Sequence, residues 1–418
     1  MLTSFSTALS ALDAHSTAID VVGNNLANLN TPGFKTSVVS FHDLVTQSLG
    51  AGLGETQVGF GVGRPITIRQ FSQGAIQSSS GPLDAAIQGD GFFVVKGSSN
   101  ETMYTRGGNL QVDQQGNLTT ATGEKIQGWT TKTAAGTIDT NAPIGDIVVP
   151  VGTLKPPKVT TTASLDMNLN AAGDPADPAT GTFSRTLEVY DSLGNSHMLT
   201  FTFTKDATTG NLWHYSISVP DADLNSAFTP VTGDLTFDAS GKLSSPAATD
   251  PMPQIAITGL KDGAADMNIT WNLYDGATPR ITQFSQPSAV SANAQDGAPP
   301  ANLIRVGLGD GGKILAGYSD GEQEVVGQVA MALVRNPESL IAVGNNNYAL
   351  SARSALPAVG LPNTGGRGNI LGGAVEASTV DIAKEFTNLI VLQRGYQANA
   401  RVVTTVDELS QETINLKR

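Results

Sequence analysis

Cysteine is absent from the 418 residues. That removes disulfides, thiolate nucleophiles and thiolate metal sites together. Positive charge is scarce: 24 Lys and Arg stand against 37 Asp and Glu, a formal net charge of −13. Nucleic acid and anionic membrane both recruit positive surface, so neither is an expected partner. No apolar run reaches the ~18 residues that a membrane-spanning helix needs, so no membrane insertion is expected. The opening MLTSFSTALSALDAHSTAID has no basic n-region and is interrupted by Asp13, so it does not read as a cleaved signal peptide. Aromatics make up only 6%, and the Tyr and Trp residues fall mostly in strand-like segments. An adhesive or carbohydrate-binding β protein, the remote alternative, would need them on the surface.

The strings that resemble enzyme motifs fail on context. Gly307-Leu-Gly309-Asp-Gly-Gly312 satisfies G-x-G-x-x-G, but a dinucleotide site needs a helix directly after it, and KILAGYSDG reads as a strand and a turn. In the phosphate-loop reading, Ile314 stands where the metal-binding Ser or Thr belongs. Gly317-Tyr-Ser319-Asp-Gly321 matches a nucleophile elbow, whose order Ser, acid, His cannot be completed because the last histidine is His214. The histidines, His15, His42, His197 and His214, form no ligand cluster by spacing. The expectation is therefore no enzyme, no catalytic residue, no cofactor and no metal.

What is present is a pair of seams. Leu2, Phe5, Leu9, Leu12, Ser16, Ile19, Val22 or Gly23, and Leu26 step by threes and fours, a heptad pattern. Ala8, Ala11, Ala14 and Ala18 supply helix propensity and permit close packing. The helix should stop near Asn28–Pro32, where turn formers meet a proline. At the other end Ile382, Phe386, Leu389, Gln393, Tyr396, Ala400 and Val403 repeat the pattern, and Val406, Leu409, Thr413 and Leu416 extend it after a stutter. Ser378 and Asp381 suggest a capping box. The helices should be roughly 40 Å and 60 Å long. Such seams predict helices that pair as a coiled coil and fold fully when copies associate.

Between the ends the texture is β. Residues 60–150 alternate short apolar runs with Gly turns, including FFVV and the hairpin turn at 113–116. Residues 183–219 alternate strictly through Leu187, Val189, Leu199, Phe201, Phe203, Trp213, Tyr215, Ile217 and Val219. Pro-rich stretches at 150–157 and Ala/Pro-rich 286–301 bracket this block, and 357–370 reads as a Pro/Gly linker. The fold class is mainly β, nested β domains with long N- and C-terminal helices. The divisions are 1–64 with 358–418 for the helical assembly region and connectors, 65–149 with 302–357 for a discontinuous inner β domain, and 150–301 for an inserted outer all-β domain.

The run from Val22 to Lys35, VGNNLANLNTPGFK, resembles the signature of the bacterial flagellar rod and hook axial proteins at Asn24, Asn25, Ala27, Asn28, Thr31, Gly33 and Phe34. Leu83–Phe93, Tyr104–Asn109, Glu376–Asp381 and Gln393–Ala400 resemble later hallmarks of the same family. Within it the large insert, with Tyr190-Asp191-Ser192-Leu193-Gly194-Asn195-Ser196-His197, is similar to that of hook subunits, with a distal rod protein as the alternative. The resemblance implies a structural subunit that polymerises into a flexible curved tube and passes motor torque to the filament. It implies a homopolymer that meets the rod proximally, a hook cap during assembly and junction proteins distally. It also implies passage through the flagellar export apparatus without signal cleavage, and an extracellular location in the hook. The seams at Leu2, Phe5, Leu9, Leu12, Ile19, Leu26, Ile382, Phe386, Leu389, Tyr396 and Val403 are the expected assembly interface. The signature residues Asn24, Asn25, Asn28, Thr31, Gly33 and Phe34 are expected to order the connector: the asparagines bond backbone at the helix end, Gly33 permits a tight turn and Phe34 docks.

Overall fold

The alanine-rich opening folds as a helix over Leu2–Ala27, about 39 Å at 1.5 Å per residue. The computed structural model that establishes this describes residues 2–44, 46–49 and 56–415. Among the described residues the C-terminal helix spans Ile382–Asn415, about 51 Å; Leu416 lies outside the described residues. Its N-cap is Asp381, whose Oδ1 accepts from the N–H groups of Ala383 and Lys384 at 2.9 and 3.1 Å. Ser378 does not fill that role because the chain before it is held extended. Ala374–Glu376 pairs with Ile76–Ser78, and the Thr379 N–H donates to Phe34 O at 3.2 Å. No helix among the described residues is long and apolar enough to cross a membrane.

The chain divides into two compact units. The first comprises Met1–Val151, Arg305–Gly317 and Gln323–Arg418, the second Gly152–Ile304 and Tyr318–Glu322. In the first, Phe92–Lys96 is the centre of a sheet, pairing with Lys125–Trp129, Thr102–Thr105 and Met331–Leu333. Four successive residues there, Phe92, Phe93, Val94 and Val95, are all buried. A strand buried on both faces reads as a continuous apolar run, which is what FFVV signalled. Leu110–Val112 and Leu118–Thr120 form the hairpin expected around 113–116, and Asp113 Oδ1 accepts from the Gln115 and Asn117 N–H groups. The stretch read as a linker is partly strand. Ala358–Gly360 adds to Met331–Leu333 and Asn369–Gly372 adds to Ala85–Gln88. Edge strands offer free backbone partners there, and pairing overrides weak local β propensity.

The second unit is two five-stranded sheets around a shared core. One is the meander Thr182–Tyr190, Ser196–Lys205, Leu212–Ser218, Val231–Phe237 and Leu243–Ser245. In the other, Thr162–Asn170 pairs along one edge with the parallel strands Met267–Asn272 and Ile281–Phe284 in succession, and along its other edge with antiparallel Ala289–Gln295. Leu199, Phe201 and Phe203 point inward while their neighbours face out, the period-two pattern of a half-buried strand. They meet Trp213, Ile217, Leu165, Ile269 and Trp271 in one core. The two ends of this unit run side by side: Lys155 bridges Ala301, and Lys158 bridges Ala298. Asp296 accepts from the Thr161 hydroxyl and from the Thr161 and Thr162 N–H groups at 2.7–2.8 Å, closing the border.

Candidate assembly surface

The two terminal helices pack against one another within the first unit. On the N-terminal helix the buried positions are Ala8, Ala14, Ala18, Val22 and Asn25. On the C-terminal helix Leu389, Leu392, Gly395, Asn399, Val403 and Val406 are half-buried. Small residues set the spacing: a Cβ on Gly395 would stand 2.8 Å from His15 Cε1. Helices brought together by Ala and Gly lie close. The consequence is that large apolar side chains are left outside.

The expected seam divides accordingly. Leu12, Ile19, Leu26, Leu389 and Val403 are half-buried. Phe5 is exposed, Leu9 is 55% exposed, and Ile382, Phe386 and Tyr396 face solvent, Phe386 at 51%. Nothing is described of the Leu2 side chain. Ile390 and Ile414 extend the exposed apolar face on the side of Phe386 and Tyr396, and Val391, Val402 and Leu409 are exposed on the opposite flank of the helix. A patch of this extent marks a surface awaiting a partner. Beside it, a groove of about 640 Å³ runs between the helices and the Ser37–Ser40 strand, lined by Val21, Val22, Val38, Phe41, Val391 and Leu392 among others. Glu385, also on its lining, is buried with Oε2 free of any hydrogen-bond partner.

The signature residues sit where the N-terminal helix hands over to the β body. Asn25 is buried and binds Ser37 twice: its Nδ2 donates to the carbonyl at 2.8 Å and its Oδ1 accepts from the N–H at 3.0 Å. This pins the returning connector to the helix, an amide standing in for a strand partner. Asn28 Nδ2 donates to Asn24 O, and the Thr31 hydroxyl donates to Asn28 Oδ1, closing the helix end; Asn24 itself faces solvent. Gly33 has φ +72°, and a Cβ there would meet the Arg106 backbone at 2.7 Å, so both conformation and space demand glycine. Phe34 is buried beside it.

Spacing alone did not show the ionic lock under this connector. Lys35 Nζ lies 2.6 Å from Glu376 Oε1 and donates also to Ser72 O; Arg106 Nη1 reaches Glu376 Oε2 at 3.2 Å. Both side chains of the Lys35–Glu376 pair are 0% exposed. The Gly74 N–H completes the carboxylate's shell at 2.7 Å. Burial pulls the Lys35 ammonium below its usual pKa, and the Glu376 hydrogen bond and charge work against that fall. Residues 341 positions apart thus fix both helix connectors to one β body. Only a lysine directly after the signature and a glutamate five residues before the helix cap hinted at it.

The enzyme-like strings are turns. Asp310–Gly312 is a single 3-10 turn that opens the strand Lys313–Tyr318, not a helix. Ser319 trades both hydrogen bonds with the Asn302 backbone at 2.9 Å.

Comparison with known proteins places this arrangement. Family models match four segments: Flagella basal body rod protein over residues 5–35, Flagellar hook protein FlgE/F/G D1 domain over 86–170, Flagellar basal body protein FlaE D2 domain over 160–298, and Flagellar basal body rod FlgEFG protein C-terminal over 371–416. The chain is 35% identical to flagellar hook protein FlgE of Borreliella burgdorferi, with all of both chains covered. The chain belongs to the flagellar hook protein family. It is 32% identical to the hook proteins of Treponema pallidum and Salmonella typhimurium, covering 100% and 99% of this chain and all of each relative. The solved hook protein FlgE2 of Helicobacter pylori shares the fold at a TM-score of 0.50 and 14% identity, over 71% of this chain and 99% of that one. As in its family, this chain is a structural axial protein of the flagellum, and its helical ends and inserted β unit fall inside matched segments.

Proposed function

We propose that this chain is the hook subunit itself, polymerising into a curved, flexible tube that carries motor torque to the filament. The observation that carries the reading is the division of labour on the terminal helices. Small residues set the spacing of the pair with Leu389, Leu392 and Val403 half-buried beside them, and other large apolar residues, Leu9, Phe386 and Ile390 among them, face outward. Neighbouring copies of the same helices cover that face and fill the adjoining groove, extending the pair into a coiled-coil assembly core. The helical ends (1–64, 358–418), the inner β domain (65–149, 302–357) and the outer insert (150–301) act as three functional layers. The helices resist twist and the outer insert makes adjustable lateral contacts. Its partners along the axis are the rod, the cap under which it polymerises, and the filament-junction proteins. It reaches the cell exterior through the flagellar export apparatus.

A distal rod protein shares the helical ends; the insert separates the two readings, because lateral contacts of an outer domain select among bent lattices. The adhesive alternative loses its platform, since Trp213 and Trp271 are fully buried, Trp271 within 5.1–6.0 Å of Phe201, Phe203 and Tyr215. Electron microscopy of wild-type polymers and of polymers lacking 155–300, joined by a short Gly/Ser linker, tests the hook reading. Curved wild-type tubes that change curvature on deletion support it. Straight tubes unaffected by deletion contradict it and leave the rod.

A further inference from the structure

The second unit contains a cluster that strand packing does not require. Asp191 ends the strand Thr182–Tyr190 and is fully buried; its Oδ1 accepts from the Leu193 and Asn195 N–H groups at 2.8 and 2.9 Å. Its Oδ2 faces His197 Nε2 at 3.1 Å. Asp262, from the turn after Leu260, brings its own Oδ2 to 3.5 Å from the same nitrogen. On the far side of the ring, Nδ1 meets Asp223 Oδ2 at 3.2 Å. A neutral imidazole has a single N–H. With that proton on Nδ1, donated to Asp223, Nε2 turns a lone pair toward two carboxylate oxygens; the Asn195 Nδ2 donates to both, at 3.0 Å to Asp262 Oδ2 and 3.4 Å to Asp191 Oδ2, and a neutral amide leaves their charge uncompensated.

We propose that Asp191, His197 and Asp262 bind one divalent transition-metal ion of the zinc type, with Asp223 orienting the imidazole. The geometry separates this from an acidic patch. One donor atom from each of the three residues lies within 4.8 Å of the others. An ion about 2.0–2.2 Å from each of two tetrahedral ligands sets those ligands about 3.3–3.6 Å apart; here Asp262 lies 3.5 Å from Nε2, inside that range, and Asp191 at 3.1 Å would move outward slightly on binding. A carboxylate on the second ring nitrogen is the outer support that ligating histidines use to fix their tautomer. One imidazole and two carboxylates suit zinc and its neighbours.

His214 supplies the contrast within the same unit. It too lies between two aspartates, but Asp234 meets Nδ1 and Asp206 meets Nε2. Those carboxylates are on opposite sides of the ring and cannot converge on one ion. At His197 they do converge, and the exposed Asp262 side leaves a way in. The ion would reinforce three turns, at 191–197, 221–223 and 260–264, that hydrogen bonds already join: Asn195 Nδ2 donates to Asp262 Oδ2 at 3.0 Å, and the Lys261 N–H to Asp223 O at 3.0 Å.

Zn²⁺ uptake by the full chain, measured by competition with a chromophoric chelator, tests this, with circular dichroism confirming that each variant is folded. The expected result is one saturable equivalent. Asp262→Asn and His197→Asn should each weaken it about tenfold or more, Asp223→Asn should weaken it about 10–100-fold, and His214→Asn should leave it unchanged. Added Zn²⁺ should also slow amide exchange across 191–197 and 260–264 in the wild type and not in Asp262→Asn, whose exposed position spares the fold. Absence of a saturable equivalent, or equal binding by wild type and Asp262→Asn, would overturn the proposal and assign the positive charge to a proton on His197.

Discussion

Replacing Glu376 by Gln should unfasten both helix connectors from the β body. The carboxylate accepts from Lys35, Arg106 and the Gly74 N–H, and its pair with Lys35 is wholly buried. Removing one partner of a buried ion pair leaves an uncompensated charge and costs about 3–5 kcal/mol. Here the burden falls on Lys35, whose ammonium burial already disfavours, so the neutral amide in place of the carboxylate should drive its deprotonation. With a urea dependence of about 2–3 kcal/mol per molar, the midpoint of the first unit should fall by about 1–2 M. Trp129 belongs to that unit and is buried, with Nε1 donating to Ala142 O at 2.8 Å, so its fluorescence follows the transition once Trp213 and Trp271 are replaced by Phe. Adding Lys35→Met should restore part of the loss, because the stranded ammonium goes with it. An unchanged midpoint in Glu376→Gln, or a double variant weaker than the sum of the two single ones, would refute the claim that this pair is an ionic lock.

Three further outcomes follow from the geometry. Gly395→Val should separate the helix pair, since its side chain must enter the space of His15; amide protection over 385–406 should collapse while the second unit is untouched. Burial raises the Asp296 pKa, but the Thr161 and Thr162 hydrogen bonds and Lys158 outweigh it and hold the value at about 2. The stabilisation is then complete above the unfolded pKa of about 4 and is lost as pH falls through about 2; Asp296→Asn should abolish that acid dependence in thermal melts of the second unit. Hydrogen bonds to Asp234 and Asp206 raise the His214 pKa, so its stabilising contribution holds below the unfolded value of about 6.5 and fades as pH rises through the folded one. Asp234→Asn should lower the His214 titration midpoint seen by NMR, and an unmoved midpoint would contradict the pairing.

The elements whose signal was local were legible in the sequence. FFVV as a buried strand, the Asp113–Gly116 hairpin and the alternation through Leu199, Phe201 and Phe203 all depend on neighbours a few residues away. The helix ends were legible as well, through the Asn-rich run and Pro32. Which face of each helix turns inward was not. Phe5, Leu9, Ile382 and Phe386 make the stronger apolar stripe, but Ala14, Ala18 and Gly395 win the intramolecular contact because small residues allow closer approach. The heptad spacing holds for both faces, so periodicity could not choose between them. The Lys35–Glu376–Arg106 lock and the Asp191–His197–Asp262 cluster escaped for another reason. Each joins residues from distant segments, and only the folded chain brings their charges together.

The central claim is that the outward apolar face of the helix pair, rather than the contact between the two helices, is the assembly core. Leu9→Asp with Phe386→Asp tests it most directly, because both side chains are exposed in the single subunit. Substitutions at such positions change monomer stability by about 0.5 kcal/mol or less, whereas a carboxylate buried between subunits carries several kcal/mol of desolvation. Sedimentation and electron microscopy of the double variant, alongside its urea midpoint, give both readouts from one protein. The account predicts a monomer of unchanged midpoint that forms no tubes. Tubes of normal length from the double variant would contradict it.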